Sequence, residues 1–138
     1  MRVIHKQRNQ GRRRRRGVAA VEFAVCLPVI ILLVFGAIEA SSILFLKQSQ
    51  NVAANEGLRE SNRLSSNTCG GVDRAENLLN ARTVQDFEIQ FPNGEAADAD
   101  RGDEIVIEVS APTLTNSPLA GQFVTNRVLT ARVVMVKE

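Results

Sequence analysis

Tryptophan and tyrosine are absent from this 138-residue chain, and histidine occurs once, as His5. Cysteine occurs twice, and phenylalanine, six times, is the whole aromatic content. These shortages exclude function classes. With one histidine, at the N-terminal end, there is no nucleophile–base pair, and neither a phosphate-binding loop nor a metal-ligand cluster is written in the sequence. An enzyme is therefore not expected, nor any cofactor or bound metal. Cys26 lies inside an apolar run and Cys69 far beyond it, a separation unsuited to a mutual bridge, so the pair forms no disulfide framework. Cys26 reads as a packing residue. Cys69, in Asn67-Thr68-Cys69-Gly70-Gly71, reads as a lone thiol, free or paired between chains. Acid is missing from one end. Residues 1–17 carry eight Lys or Arg and no Asp or Glu, a net +8, whereas residues 18–138 carry nine basic and fifteen acidic side chains, a net −6. The two parts face different surroundings.

What is present begins with a long apolar element. Val18 to Leu46 is 29 residues, about 43 Å as a helix, enough to cross a hydrocarbon core of about 30 Å with some to spare. Val25 to Ile38 has no charged residue, Pro28 interrupts the run and should bend it, and Lys47 closes it. The run is too long for an ordinary cleaved signal, whose apolar region spans about 7–15 residues, although Ala40-Ser41-Ser42 offers a weak cleavage site. The five arginines Arg12 to Arg16 beside this span set its topology and meet anionic lipid. They could also suggest nucleic acid, but no aromatic or base-reading framework accompanies them, and nucleic-acid binding is not expected. The positive end stays cytoplasmic, and the rest lies across the membrane.

Near the start of this element stands an acid, Glu22, in Arg12-Arg13-Arg14-Arg15-Arg16-Gly17-Val18-Ala19-Ala20-Val21-Glu22-Phe23. A carboxylate costs about 2–4 kcal/mol at the membrane centre and less at its edge, so it invites a functional explanation. The arrangement resembles the processing site of type IV prepilins: a basic leader, glycine before the cut, glutamate fifth after it. Together with Glu22-Phe23, the later Gly36-Ala37-Ile38-Glu39 is similar to the TadE family of pseudopilins, which serve assembly of tight-adherence (Flp-type) pili. The resemblance covers Arg12 to about Lys47. It implies cleavage after Gly17, with Gly17, Val18, Glu22 and Phe23 as the processing site. Glu22 would then offset the new N-terminal charge on Val18 of an adjacent subunit. It also implies its partners: a prepilin peptidase, other pilins and an inner-membrane assembly platform. Two physical points support this. A residue without a Cβ enters a protease cleft easily, and a paired buried charge survives where a lone one would neutralise. The alternative is an uncleaved signal anchor whose Glu22 is merely tolerated near the span end. Glu39, about 100° away from Glu22 around the helix, marks the outer interface as a solvated acid.

Beyond the span the organisation is that of a small head. Gln48 to Ser65 reads as a helical continuation, Asn67 to Val72 as a break carried by Gly70-Gly71, and Asp73 as the N-cap of a short helix with Glu76 completing a capping box. Ala75, Leu78 and Leu79 supply its buried stripe. Alternation then marks strands at Phe87–Phe91 and Ile105–Val109, where Val106 breaks the polar face. Residues 111–122 read as loop, and Val128–Val136 as a third strand apolar enough for the sheet centre. Asp98, Asp100 and Asp103 with Glu104 could offer oxygens to Ca²⁺, but the glycine is misplaced for an EF-hand loop and a solvated acidic turn is the reading preferred. The expected architecture is α+β: leader 1–17, transmembrane helix 18–46, helical extension 47–66, and a head over 67–138 with a short helix and an antiparallel sheet of about three strands. The expected role is a structural minor pilin of the inner membrane, with its head extracytoplasmic. The rivals are an uncleaved single-pass protein whose outer domain binds an envelope partner, and a module released after about residue 42.

Overall fold

A run of apolar residues with no partner strand satisfies its backbone groups only by closing into a helix. The computed structural model describes the backbone of residues 10–63, 68–94, 98–117 and 126–137, and side chains within those ranges from Gly17 onward, except those of Thr68 and Cys69. Among the described residues the elements are α1 (Gln10–Arg63), α2 (Thr68–Ala81), β1 (Glu88–Gln90), β2 (Glu104–Pro112), α3 (Thr113–Asn116) and β3 (Val128–Val136). The class is α+β, with a three-stranded antiparallel sheet, as the sequence led us to expect.

The chain divides into two compact units, Met1–Ala37 and Ile38–Glu138. In the first, α1 contains Pro28 and exposes its large apolar side chains throughout, among them Val21, Phe23, Leu32 and Leu33. From Gly17 to Arg63 the helix is long and apolar enough to cross a membrane, and its apolar window is not buried against protein. A helix that is apolar and unburied all round suits lipid, not water.

In the second unit, the rest of α1 buries Leu46, Ser49, Gln50, Ala53, Ala54, Gly57, Leu58 and Ser61. These recur at i, i+3, i+4, i+7 spacing, which keeps them on one face. Most are small, so neighbouring backbone can come close. A Cβ built on Gly57 would lie 2.8 Å from the Gly71 carbonyl oxygen, and one on Gly71 would lie 2.6 Å from the Gly57 carbonyl oxygen and 1.8 Å from Ser61 Oγ. The two glycines let α1 and α2 cross nearly backbone to backbone. This corrects the reading of Gly70-Gly71 as a break: both are helical, α2 starts at Thr68, and Asp73 is an exposed residue inside the helix, not its cap. α2 ends in a Schellman turn, with Val84 N–H donating to the Leu79 carbonyl, Thr83 N–H to that of Asn80, and Thr83 at φ 56°.

The sheet order is β1-β2-β3. Ile105, Ile107, Val109 and Ala111 face the helices and form the core with Leu46, Ala53, Ala54, Leu58, Ala75, Leu79 and Val84. Val106, on the opposite face, is nonetheless buried. β3 has the expected limits but lies at an edge, not at the centre. Its Val128, Val134 and Val136 are exposed because only alternate residues turn inward. β1 is three residues long, with Phe87 and Phe91 half-buried beside it, and β2 runs on through Ala111 and Pro112, which the sequence suggested as loop. The edge of β3 is dressed by α1: Lys47 Nζ donates to the Thr130 carbonyl, Gln50 Nε2 to that of Leu129 at 2.8 Å, and Asn62 Nδ2 to that of Val136 at 3.4 Å.

Candidate membrane and assembly site

Gly17, Val18, Glu22 and Phe23 all lie on α1, and all are exposed. Glu22 follows Val18 by four residues, so the two share a face one turn apart. Glu22 has no hydrogen-bond or ion-pair partner among the described residues. Gly17 is helical, with nothing within 4 Å of the position a Cβ would take. Proteolysis there would require local unwinding, which glycine eases because it costs a helix about 0.5–1 kcal/mol relative to alanine. Residues 1–9 of the leader lie outside the described residues, and for Arg12 to Arg16 only the helical backbone is described.

Glu39 is not simply solvated. It is half-buried in the second unit, and its Oε2 accepts a hydrogen bond of 2.7 Å from Ser117 Oγ, while Oε1 is buried without a partner among the described residues. Ser117 follows α3, which Asn116 fastens to the end of α2: its Oδ1 accepts from Gln85 N–H at 2.7 Å, and its Nδ2 donates to the Gln85 carbonyl at 2.8 Å and the Pro112 carbonyl at 2.9 Å. The side-chain amide reproduces a backbone pair and sets the height at which Ser117 meets α1. Sequence reasoning singled out Glu39 but not Ser117, since 78 residues separate them. It also missed Gly57 and Gly71, although the recurrence of Ala53, Ala54, Gly57 and Ser61 was a usable signal for close helix packing.

The other candidates are quickly placed. Cys26 is exposed and unpaired on α1, and the side chain of Cys69 lies outside the described residues. Asp98, Asp100 and Asp103 form an exposed turn in which Asp103 Oδ2 accepts from Asp100 N–H at 2.9 Å. Among the described residues no group of three or more acids, histidines or cysteines is placed to hold a metal. An open cleft lined by Glu56, Arg59, Glu60, Arg63 and Arg74 mixes both charges, and none of these lining residues is buried.

Comparison with known proteins agrees with the N-terminal motif. No curated protein and no solved structure matches the chain. The match that is found spans less than half of the chain, yet it covers Gly17, Val18, Glu22, Phe23 and Glu39 and continues past Lys47 along the buried stripe to Gly57 and Leu58. Over residues 17–59, the membrane-length helix and its packed continuation, the chain matches the family of TadE-like proteins, a finding that supports a Tad pilus-related protein.

Proposed function

We propose that this chain is a pseudopilin or minor pilin that acts structurally in assembly of tight-adherence pili. A prepilin peptidase removes the arginine-rich leader after Gly17. The new Val18 amine and Glu22 then form the complementary charges through which one copy, or a related pilin, engages the next within the membrane. The helix 18–46 spans the inner membrane with its N-terminus cytoplasmic, and the head lies on the extracytoplasmic side, where other pilins and an inner-membrane assembly platform are its partners. The observation that carries this reading is Glu22. It stands in the matched segment, one turn from Val18, exposed among apolar residues and without a partner among the described residues. In a membrane such a charge is costly unless paired. A head of this size suits a minor or initiating subunit better than the repeating body of a thin fibre.

The helical state of Gly17 favours one rival, an uncleaved anchor whose outer domain binds an envelope partner. N-terminal sequencing of membrane-bound material from the native host decides between them. Val18 as first residue is expected, and Met1 would overturn the pseudopilin reading. For the charge-pairing role, Glu22→Ala is expected to insert normally yet lose association with other pilins in detergent co-purification. Unchanged association would remove that role.

A further inference from the structure

α1 shows lipid-compatible residues over more than the hydrocarbon core requires. Val18 to Ile38, 21 residues, measures about 31 Å as a helix and fills a core of about 30 Å. Val18 to Leu46 measures about 43 Å, the thickness of a bilayer with its headgroups. Glu39 to Leu46 therefore falls at headgroup depth.

Along that stretch the helix has two different neighbours. One side belongs to the head: Glu39 accepts from Ser117 at the lower end, Leu46 is in the core, and Lys47 donates to the Thr130 carbonyl at the upper end. The other side shows Leu44 and Phe45, exposed by 62% and 52%. The end of the head that bears Ser117 and Thr130 thus lies at the same depth as two side chains that need lipid. This end carries apolar and cationic groups that the core does not use. Leu114 is 45% exposed and Val128 is 63% exposed, with Arg127 exposed beside them. Thr113 and Arg127 hold them together, Thr113 N–H donating to the Arg127 carbonyl at 2.8 Å and Arg127 N–H to Thr113 Oγ1 at 3.0 Å.

We propose that Leu114, Arg127 and Val128 form a membrane-seating face, by which the head rests in the headgroup layer of the bilayer that α1 crosses. The two apolar side chains enter the acyl–headgroup boundary and the guanidinium meets lipid phosphate. A lipid surface is the occupant because the face is continuous in depth with Leu44 and Phe45, and because its cation complements phosphate. A second copy or another protein would have to displace lipid already drawn there by α1. The proposal rests on the reading of α1 as a membrane span, and its test separates the two.

The absence of tryptophan makes the test direct. Four full-length variants, Phe45→Trp, Leu114→Trp, Val128→Trp and Val136→Trp, each acquire a sole reporter at an exposed position. Val136 lies at the opposite end of β3, about 27 Å from Val128 by the strand rise. Each variant is reconstituted in phosphatidylcholine–phosphatidylglycerol vesicles with and without acyl-chain-brominated lipid. Expected are blue-shifted emission and comparable bromine quenching at positions 45, 114 and 128, and neither at 136. Val128→Trp stands in should Leu114→Trp disturb the turn at 113–116. Quenching at 45 with none at 114 and 128 overturns the seating and leaves the span standing. Blue-shifted emission at 114 and 128 that brominated lipid does not quench identifies a protein occupant and also overturns it. Loss of quenching at 45 as well shows that α1 leaves the bilayer before Phe45 and overturns the seating, whereas the span itself falls only if a further variant within it, Leu32→Trp, is also unquenched.

Discussion

Gly71→Ala tests how the helix and the head are joined. Judged from helix propensity alone, the change stabilises α2 by about 1 kcal/mol. The structure predicts the opposite sign. The new Cβ would stand 2.6 Å from the Gly57 carbonyl oxygen and 1.8 Å from Ser61 Oγ, with Ser61 Cβ at 3.0 Å. Ser61 is buried and donates to the Gly57 carbonyl at 3.0 Å, so its hydroxyl cannot swing away without losing that bond. The Gly57 oxygen belongs to helical backbone and moves only with α1. Relief therefore requires the two helices to part, which opens the core around Leu58, Ala75 and Ile107. Overpacking costs typically 1–3 kcal/mol, and a contact this short lies at or beyond the upper end, so the net loss is about 2 kcal/mol after the propensity gain. For a domain of this size that is a fall of about 8–16 °C in Tm, read by circular dichroism of the full chain in detergent. Gly36→Ala, where nothing lies within 4 Å, is the control and should not lower Tm. Gly71→Ala/Ser61→Ala should recover part of the loss, because it removes the shorter clash and leaves the backbone one. A Gly71→Ala chain that melts at or above the parent would refute the close crossing.

Two further substitutions probe polar contacts of opposite worth. Ser117→Ala removes the hydrogen bond that the half-buried Glu39 carboxylate accepts from Ser117 and should cost about 1–2 kcal/mol in chemical denaturation, while Glu39→Gln, which keeps an acceptor for Ser117, should cost less. Equal stability of Ser117→Ala and the parent would show that the contact holds nothing. Arg132→Ala breaks the 3.6 Å pair with Glu108 across β2 and β3. Arg132 is exposed and Glu108 partly so, so the change should move stability by less than about 0.5 kcal/mol, and a loss several times larger would mean that the stem of Arg132 covers Val106 or its neighbours.

Elements with strong contrast between faces were legible in the sequence. Val128–Val136 was placed to the residue, and β2 was recognised from the alternation of Ile105, Ile107 and Val109. Its rank in the sheet was not: apolar residues on both sides of β3 suggested burial on both faces, whereas Val128, Val134 and Val136 are exposed. The buried face of α1 past Leu46 looked faintly amphipathic because it is made of Ala, Gly and Ser, which differ little in hydrophobicity from the polar residues between them. The same cause hid the start of α2. Gly70-Gly71 reads as a breaker when only local propensity is considered, but a tertiary crossing that needs a backbone without Cβ overrides it. At the candidate site, Gly17, Val18, Glu22 and Phe23 carry a local pattern and were visible. The Glu39–Ser117 contact joins residues 78 positions apart and depends on Asn116 holding its segment to Gln85, which local patterns do not encode.

The side chains of Lys47, Gln50 and Asn62 along β3 bear on how copies of the chain can and cannot stack. A bare strand border is a template onto which another molecule's strand can zip. Here an incoming strand would first have to strip these three donors and push aside the helix that bears them. Polymer growth by extending the sheet is thereby barred on this flank. An ordered array of these subunits that uses this flank must propagate by some contact other than strand pairing.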